Sequence, residues 1–137
     1  PRLVLQLWGT EVCRKAFHDD IWIASLEARL RNSKDNIVIS DCSFPNEIKA
    51  IKQAGGKVIR VVRGPDPEWY SLAEAVNAGP KHLSWSTSKT HLSKYKIHAS
   101  ETAWVGTEFD LTAYNDTTFD DLYNQIKNLV QSGQPSK

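Results

Sequence analysis

The pattern of apolar and polar positions is densest between Ile37 and Arg63. Ile37-Val38-Ile39, ahead of Ser40 and Asp41, is apolar on both alternations. That predicts a strand, Ile37–Asp41, covered on both faces, the kind a parallel sheet uses. Pro45-Asn46-Glu47 then opens a helical pattern. Pro45 suits a first turn, where its missing N–H costs nothing, and Glu47 faces the positive dipole end. Ile48, Ile51 and Ala54 form the inner face, and Gly55-Gly56 ends the helix as C-cap glycines do. Lys57–Arg63 is the next strand, so residues 37–63 predict a short right-handed parallel crossover.

The flanks are less regular. Pro1–Trp8 alternates Leu3, Leu5 and Leu7 against Val4 and Gln6, which reads as a strand with a helical turn as the competitor. Thr10, after Gly9, is a candidate N-cap for the segment carrying Arg14. Asp19-Asp20 starts a second helix with Ile21, Trp22, Ser25, Leu26, Arg29 and Leu30 at helical spacing, and Asn32–Asn36 is a turn. From Gly64 the pattern loosens, and residues 64–97 read as a lid-like excursion from one domain spanning 1–137. It contains a short helical candidate, Glu68–Asn77, and a polar, aperiodic tract, Lys81–Lys96. Asp110–Asn115 is a third strand, and Thr118–Val130 a closing helix with Phe119, Leu122, Ile126 and Leu129 inward. Gln131–Lys137 is a frayed tail.

Composition narrows the function classes. A chain of 137 residues with 40% hydrophobic and 24% charged content is ordinary for a soluble domain. A formal net charge of +1 gives no electrostatic case for duplex nucleic acid or an anionic membrane. No apolar run is long enough to span a bilayer, and no secretory pattern opens the sequence. Single-stranded nucleic acid binding through Trp69, Trp85 and Lys89 is disfavoured by few aromatics and balanced charge. Cys13 and Cys42 show no metal-like spacing, so they read as reduced thiols in a cytoplasmic protein.

Several side chains are candidates for chemistry. Asp41 ends a strand, and in open α/β sheets ligands bind just outside those carboxyl ends; a capping or turn role is the alternative. Arg60 and Arg63 fall on opposite faces of their strand. Arg63, at the carboxyl end, is the better placed to meet phosphates, and Arg60 suits a structural ion pair. Arg14 could equally be a surface arginine paired with Glu11 or Asp20.

Five stretches, Leu3–Arg14, Ile37–Glu47, Ala54–Gly64, His98–Glu101 and Tyr114–Ile126, together resemble the deoxynucleoside monophosphate kinases of bacteriophages, a P-loop kinase family. The resemblance implies a three-layer α/β/α fold with a mainly parallel sheet. It also implies transfer of a γ-phosphoryl group from ATP to a deoxynucleoside monophosphate, with Mg²⁺ and ATP as the complete protein's cofactors. Two departures stand out. No Gly-x4-Gly-Lys-Ser/Thr loop occurs among the seven glycines, so the first strand–loop–helix of the fold is missing. Ser43 also stands where the family usually has Arg in Asp-Val-Arg-Phe-Pro-Asn-Glu, and serine cannot make a guanidinium's bidentate phosphate contact. The loop supplies the phosphate cradle, the lysine and a Mg²⁺-holding hydroxyl. A chain without it is expected to be inactive alone, either as the acceptor-and-lid portion of a kinase or as a divergent, non-catalytic nucleotide-binding or interaction module.

By the same resemblance, catalytic roles fall to Asp41, as the Mg²⁺-directed acid, and to Arg63. Gln6, Thr10, Arg14, Asn46, Glu47, His98, Ser100 and Glu101 become candidates for holding the acceptor nucleotide. Capping of its own segment for Gln6, helix-start roles for Asn46 and Glu47, and local pairing for His98, Ser100 and Glu101 remain alternatives. The missing central strand should leave Ile37–Asp41 and Lys57–Arg63 with unpaired edges. Strand pairing is the expected repair: Ile37–Asp41 and Lys57–Arg63 close up and pair directly, Pro1–Trp8 enters the sheet, or a second copy donates an element in a homodimer.

Overall fold

A computed structural model describes residues 2–31 and 33–132; the expectations for Pro1, Asn32 and residues 133–137 lie outside them. The chain runs α1 (Arg2–Gln6), a π-helical segment (Leu7–Phe17), α2 (Ile21–Leu30), α3 (Pro45–Gln53), β1 (Ile59–Val62), α4 (Tyr70–Asn77), α5 (Trp85–Lys94), α6 (Ala99–Thr102), β2 (Leu111–Tyr114) and α7 (Phe119–Ser132). It is an α/β chain built on two parallel strands.

β1 and β2 pair in parallel, with Ile59 opposite Leu111 and Val62 opposite Tyr114. Asp110 sets the register: its backbone N–H donates to Val58 O at 2.8 Å, and its carboxylate accepts from Val58 N at 2.8 Å and from Lys57 Nζ at 3.1 Å. Those bonds, the Val58 N–H foremost, hold the Asp110 carboxyl below its ordinary value. The Gln125 side chain of α7 brackets Tyr114, accepting from its N–H at 2.9 Å and donating to its C=O at 3.1 Å. An amide side chain thus occupies backbone groups that a further strand would otherwise claim. The packed centre lies between sheet and helices, at Val58, Ala73, Ala75, Val105 and Ala113. Arg60 is paired with Asp66 and stacks over Tyr70, 4.5 Å from the ring centroid, which is the structural ion pair expected of it.

α3 forms as its sequence predicts. Gly55 takes φ +80°, its N–H reaches Lys52 O at 3.0 Å, and the Gly56 N–H reaches Ile51 O at 2.9 Å. This is a Schellman ending. A Cβ on Gly56 would lie 2.8 Å from Ile51 Cγ2, so a side chain there is excluded.

Elsewhere the structure corrects the expectations. Ile37–Asp41 is not a strand: the sheet contains β1 and β2 alone among the described residues, and Val38 is 92% exposed. An apolar run becomes a strand only when a neighbour supplies its ladder bonds, and none does here. The 37–63 crossover therefore does not form, and β1 pairs with a strand much later in the chain. Arg2–Trp8 is helical rather than extended, and Ile37–Asp41 does not pair with β1, so neither expected repair within the chain occurs among the described residues. Thr10 is buried inside the π-helical segment and is no N-cap. Lys81–Lys96 is not an aperiodic tract, because α5 occupies most of it and packs against α4. Its contact stripe, Trp85, Ser88 and Leu92, was concealed by a buried serine in an apolar position. Phe119 lies 85% exposed instead of inward, while Leu122, Ile126 and Leu129 are partly covered.

Candidate functional site

The segment Thr10–Arg14, the turn at Asp19-Asp20 and the start of α3 meet around one guanidinium. Arg14 is 5% exposed. Its Nη1 donates to Glu47 Oε1 at 2.8 Å, and its Nη2 donates to Asn46 Oδ1 at 2.7 Å and lies 2.7 Å from Asp19 Oδ1. The guanidinium also stacks on Phe44, 3.9 Å from the ring centroid. Asn46 Nδ2 continues the network to Asp20 Oδ1 at 2.7 Å. The other oxygen of Glu47 accepts from the N–H groups of Ser43 and Phe44, at 2.9 and 3.1 Å. That is half of a capping box, since Phe44 has no side-chain acceptor to complete it. Glu47 thus caps α3 and neutralises Arg14 at once. Asp20, rather than pairing with Arg14, holds Asn46, and Glu11 pairs with Lys15 at 2.7 Å.

Beside this network lies a cavity of about 940 Å³. Its polar wall includes Gln6, Thr10, Arg14, Asp41, Glu47, Ser100 and Glu101, seven of the side chains singled out in the sequence. Its apolar wall comes from Trp22, Leu26 and Leu30 of α2, from Ile37 and Ile39, and from Phe44 and Ile51. α2 is held to the opposite wall by Trp22 Nε1, which donates to Gly9 O at 3.1 Å. A pocket with one apolar wall and one bearing a few convergent polar groups is the usual form of a small-molecule site.

The remaining candidates lie around or away from it. Asn46 stands behind Arg14. His98 caps the single-turn α6: its Nδ1 accepts from Ser100 N at 3.2 Å and lies 2.8 Å from Ser100 Oγ. Because Nδ1 accepts a backbone N–H, the ring proton sits on Nε2, which is buried with no partner among the described residues. Glu101 is ion-paired with Arg2. Arg63 lines a different hollow of about 400 Å³ at the carboxyl ends of β1 and β2, with Gly64, Asn115, Asp116, Thr117 and Phe119. The two residues expected to share catalysis, Asp41 and Arg63, thus face separate spaces.

Sequence reasoning missed Asp19, Phe44 and Trp22. The adjacent aspartates ahead of α2 were the available signal for the first. Cys42 also lines the large cavity, and its thiol is pushed up to about 11 by burial, with Glu47 and Asp41 adding to the effect.

Mg²⁺ in phosphoryl transfer takes one or two carboxylates, with phosphate oxygens and water completing its shell. Asp41 fits one such position: its carboxylate has no partner among the described residues, is exposed, and lies on the cavity rim. Among the described residues, no group of three or more His, Cys, Asp or Glu side chains could hold a metal unaided. For ATP the donors among the described residues do not fit: the buried guanidinium of Arg14 is already neutralised by Glu47 and Asp19, and the sequence holds no Gly-x4-Gly-Lys-Ser/Thr loop to cradle phosphates.

Helices around a parallel strand pair are compatible with a kinase-like fold. Over 54 residues the chain is 41% identical to the deoxynucleoside-5'-monophosphate kinase of Escherichia phage T5, covering 39% of this chain and 22% of that enzyme. The chain therefore matches about a fifth of the phage enzyme's length, and the likeness suggests a kinase of that kind without establishing membership. No protein-family profile matches, and no solved structure matches either. No described helix is long and apolar enough to cross a membrane.

Proposed function

We propose that the chain is the acceptor-nucleotide portion of a deoxynucleoside monophosphate kinase, with the 940 Å³ cavity as its site. The observation that carries this reading is the convergence of Gln6, Thr10, Arg14, Asp41, Glu47, Ser100 and Glu101 on that one cavity. The base lies against Trp22, Leu26 and Ile39, and Gln6, which has no partner among the described residues, reads its edge. The phosphate lies toward Arg14. Asp19 is the replaceable partner there, because its side chain is 70% exposed whereas Glu47 is 19% exposed and tied to two backbone N–H groups. A phosphate monoester takes the place of the Asp19 carboxylate, and Glu47 keeps the guanidinium aimed. Asp41 stands ready on the rim to meet Mg²⁺ arriving with nucleotide phosphates. The donor-phosphate loop is supplied by residues other than these, and the α4–α5 pair serves as the lid.

Calorimetric titration with the four deoxynucleoside monophosphates tests this. At least one should bind, and Gln6→Ala should weaken it about five- to ten-fold, the size of a lost hydrogen bond at a desolvated site. Absence of binding by all four removes the assignment. A non-catalytic module is the second reading, and one observation favours it: every contact of Arg14 is internal, as in a structural clamp.

A further inference from the structure

The first helical stretch departs from the usual division between covered apolar and exposed polar side chains. α1 has no buried residue. Leu3, Val4, Leu5, Leu7 and Trp8 all lie exposed, Leu5 by 71% and Trp8 by 60%. Arg2 and Gln6 share one side of this stretch and the five apolar residues take up the rest; an apolar face that broad belongs against another element, not on a surface.

The total surface gives the scale of what is missing. A compact monomer of 15.4 kDa exposes about 7,200 Å² by the scaling for folded monomers. This chain exposes 10574 Å², an excess of roughly 3,400 Å² over that scaling. Seven fully extended residues would add only about 1,100 Å², so the residues outside the described part do not account for it. Obligate interfaces bury about 2,000–5,000 Å² in total, or half of that per partner. One such interface therefore removes a large part of the excess.

We propose that α1 and the following turn dock onto a second copy of this chain in a two-fold dimer. The charges favour self-association. Arg2 is paired with Glu101 and Lys15 with Glu11, so among the described residues the face brings no unpaired cation or anion against its own image. A two-fold contact needs a patch complementary to itself, and a neutral apolar patch meets that requirement without finer matching. Arg2, Leu5 and Gln6 also line the large cavity, so docking there closes its mouth and steadies one of its walls. The inference goes beyond the nucleotide reading and stands without it, because it is tested with no nucleotide present.

Sedimentation velocity on the full chain at about 5–100 µM, the range for weak-to-moderate association, should show a species of twice the 15.4 kDa chain mass. Leu3→Glu with Trp8→Glu should weaken the dimer roughly thirty-fold or more, the size of a lost hot spot. Leu83→Glu, on an exposed loop elsewhere, should leave it intact. Hydrogen exchange on the unmutated chain reads the same surface without a substitution: the α1 amides should be protected at high concentration and exposed on dilution. A 15.4 kDa species throughout the range, a dimer indifferent to the double variant, polydisperse aggregates, or α1 exchange independent of concentration overturns the proposal.

Discussion

Arg14 Nη1 donates to Glu47 Oε1 at 2.8 Å across 33 positions of sequence, joining the π-helical segment to the N-terminus of α3. Because the guanidinium is buried, removing it strands Glu47 and Asn46 together. Arg14→Ala should destabilise the fold by about 3–5 kcal/mol, the cost of breaking a buried pair from one side. Arg14→Lys should recover only part of this, since an ammonium cannot serve Glu47, Asn46 and Asp19 in one plane. Urea unfolding measures both, and a change below about 1 kcal/mol, the range of exposed pairs, would show that the bridge is not structural.

Asp19 separates the binding reading from the structural one. If a phosphate displaces its carboxylate from Arg14, Asp19→Asn removes a competitor and should raise deoxynucleoside monophosphate affinity about five-fold. That corresponds to the ~1 kcal/mol an exposed pair is worth. Stability should move little. Affinity that falls in the variant would place the phosphate elsewhere.

How far the sequence foretold this arrangement depends on whether each signal was local. α3 was legible because Pro45, Glu47 and Gly55-Gly56 start and stop a helix by chemistry contained within a turn. β1, β2 and α7 were also found, with ends displaced by a residue or two. Ile37–Asp41 failed because a strand is defined by its partner, and its apolar run meets none. Arg2–Trp8 failed for the complementary reason, since Leu3, Val4, Leu5, Leu7 and Trp8 are dense enough to satisfy the strand and helix periods alike. Seven of the residues that the family resemblance singled out line the large cavity, although the resemblance alone did not say that they share one. The cavity's apolar wall was not foreseen, because α2 reaches it only through tertiary contacts such as Trp22 to Gly9.

Acid should loosen the sheet through Asp110. Its carboxyl is held below the ordinary value of 3.8 in the folded chain by Val58 N–H and Lys57. The unfolded chain therefore binds the proton more readily, and the contribution is complete above the unfolded value and fades as pH falls through the folded one. Denaturant midpoints between about pH 5 and pH 2, the span over which a stabilised aspartate titrates, should show a steeper loss in the parent than in Asp110→Asn. Parallel curves would remove Asp110 from the acid transition.

Cys42 should be a sluggish nucleophile. With its thiol pushed up to about 11, little thiolate exists at pH 8. Alkylation there should run on the order of ten-fold slower than for a free cysteine, after allowing for the greater nucleophilicity of a more basic thiolate. Glu47→Gln should speed it by removing a nearby anion. A bound deoxynucleoside monophosphate should block what reaction remains, because Cys42 lines the same cavity. Alkylation as fast as that of a free thiol would contradict the buried setting.

The chain by itself should bind a deoxynucleoside monophosphate and yet fail to phosphorylate it. Phosphoryl transfer relies on positioning and on neutralising charge that spreads over the transferred group. Asp41 can contribute one carboxylate to Mg²⁺, but that leaves the β- and γ-phosphates of ATP without donors. Arg14 already faces Glu47 and Asp19. Arg63 opens onto another hollow, and Ser43 offers a hydroxyl where a guanidinium could have bridged two phosphate oxygens. The sequence holds no Gly-x4-Gly-Lys-Ser/Thr loop, the element that cradles the phosphates and preorganises the field in such transfers. A coupled assay with ATP, Mg²⁺ and each deoxynucleoside monophosphate should therefore show no turnover above background, while calorimetry shows monophosphate binding and no comparable ATP binding. Turnover that disappears in Asp41→Asn would overturn this expectation, because it would mean that these residues assemble a donor site of their own.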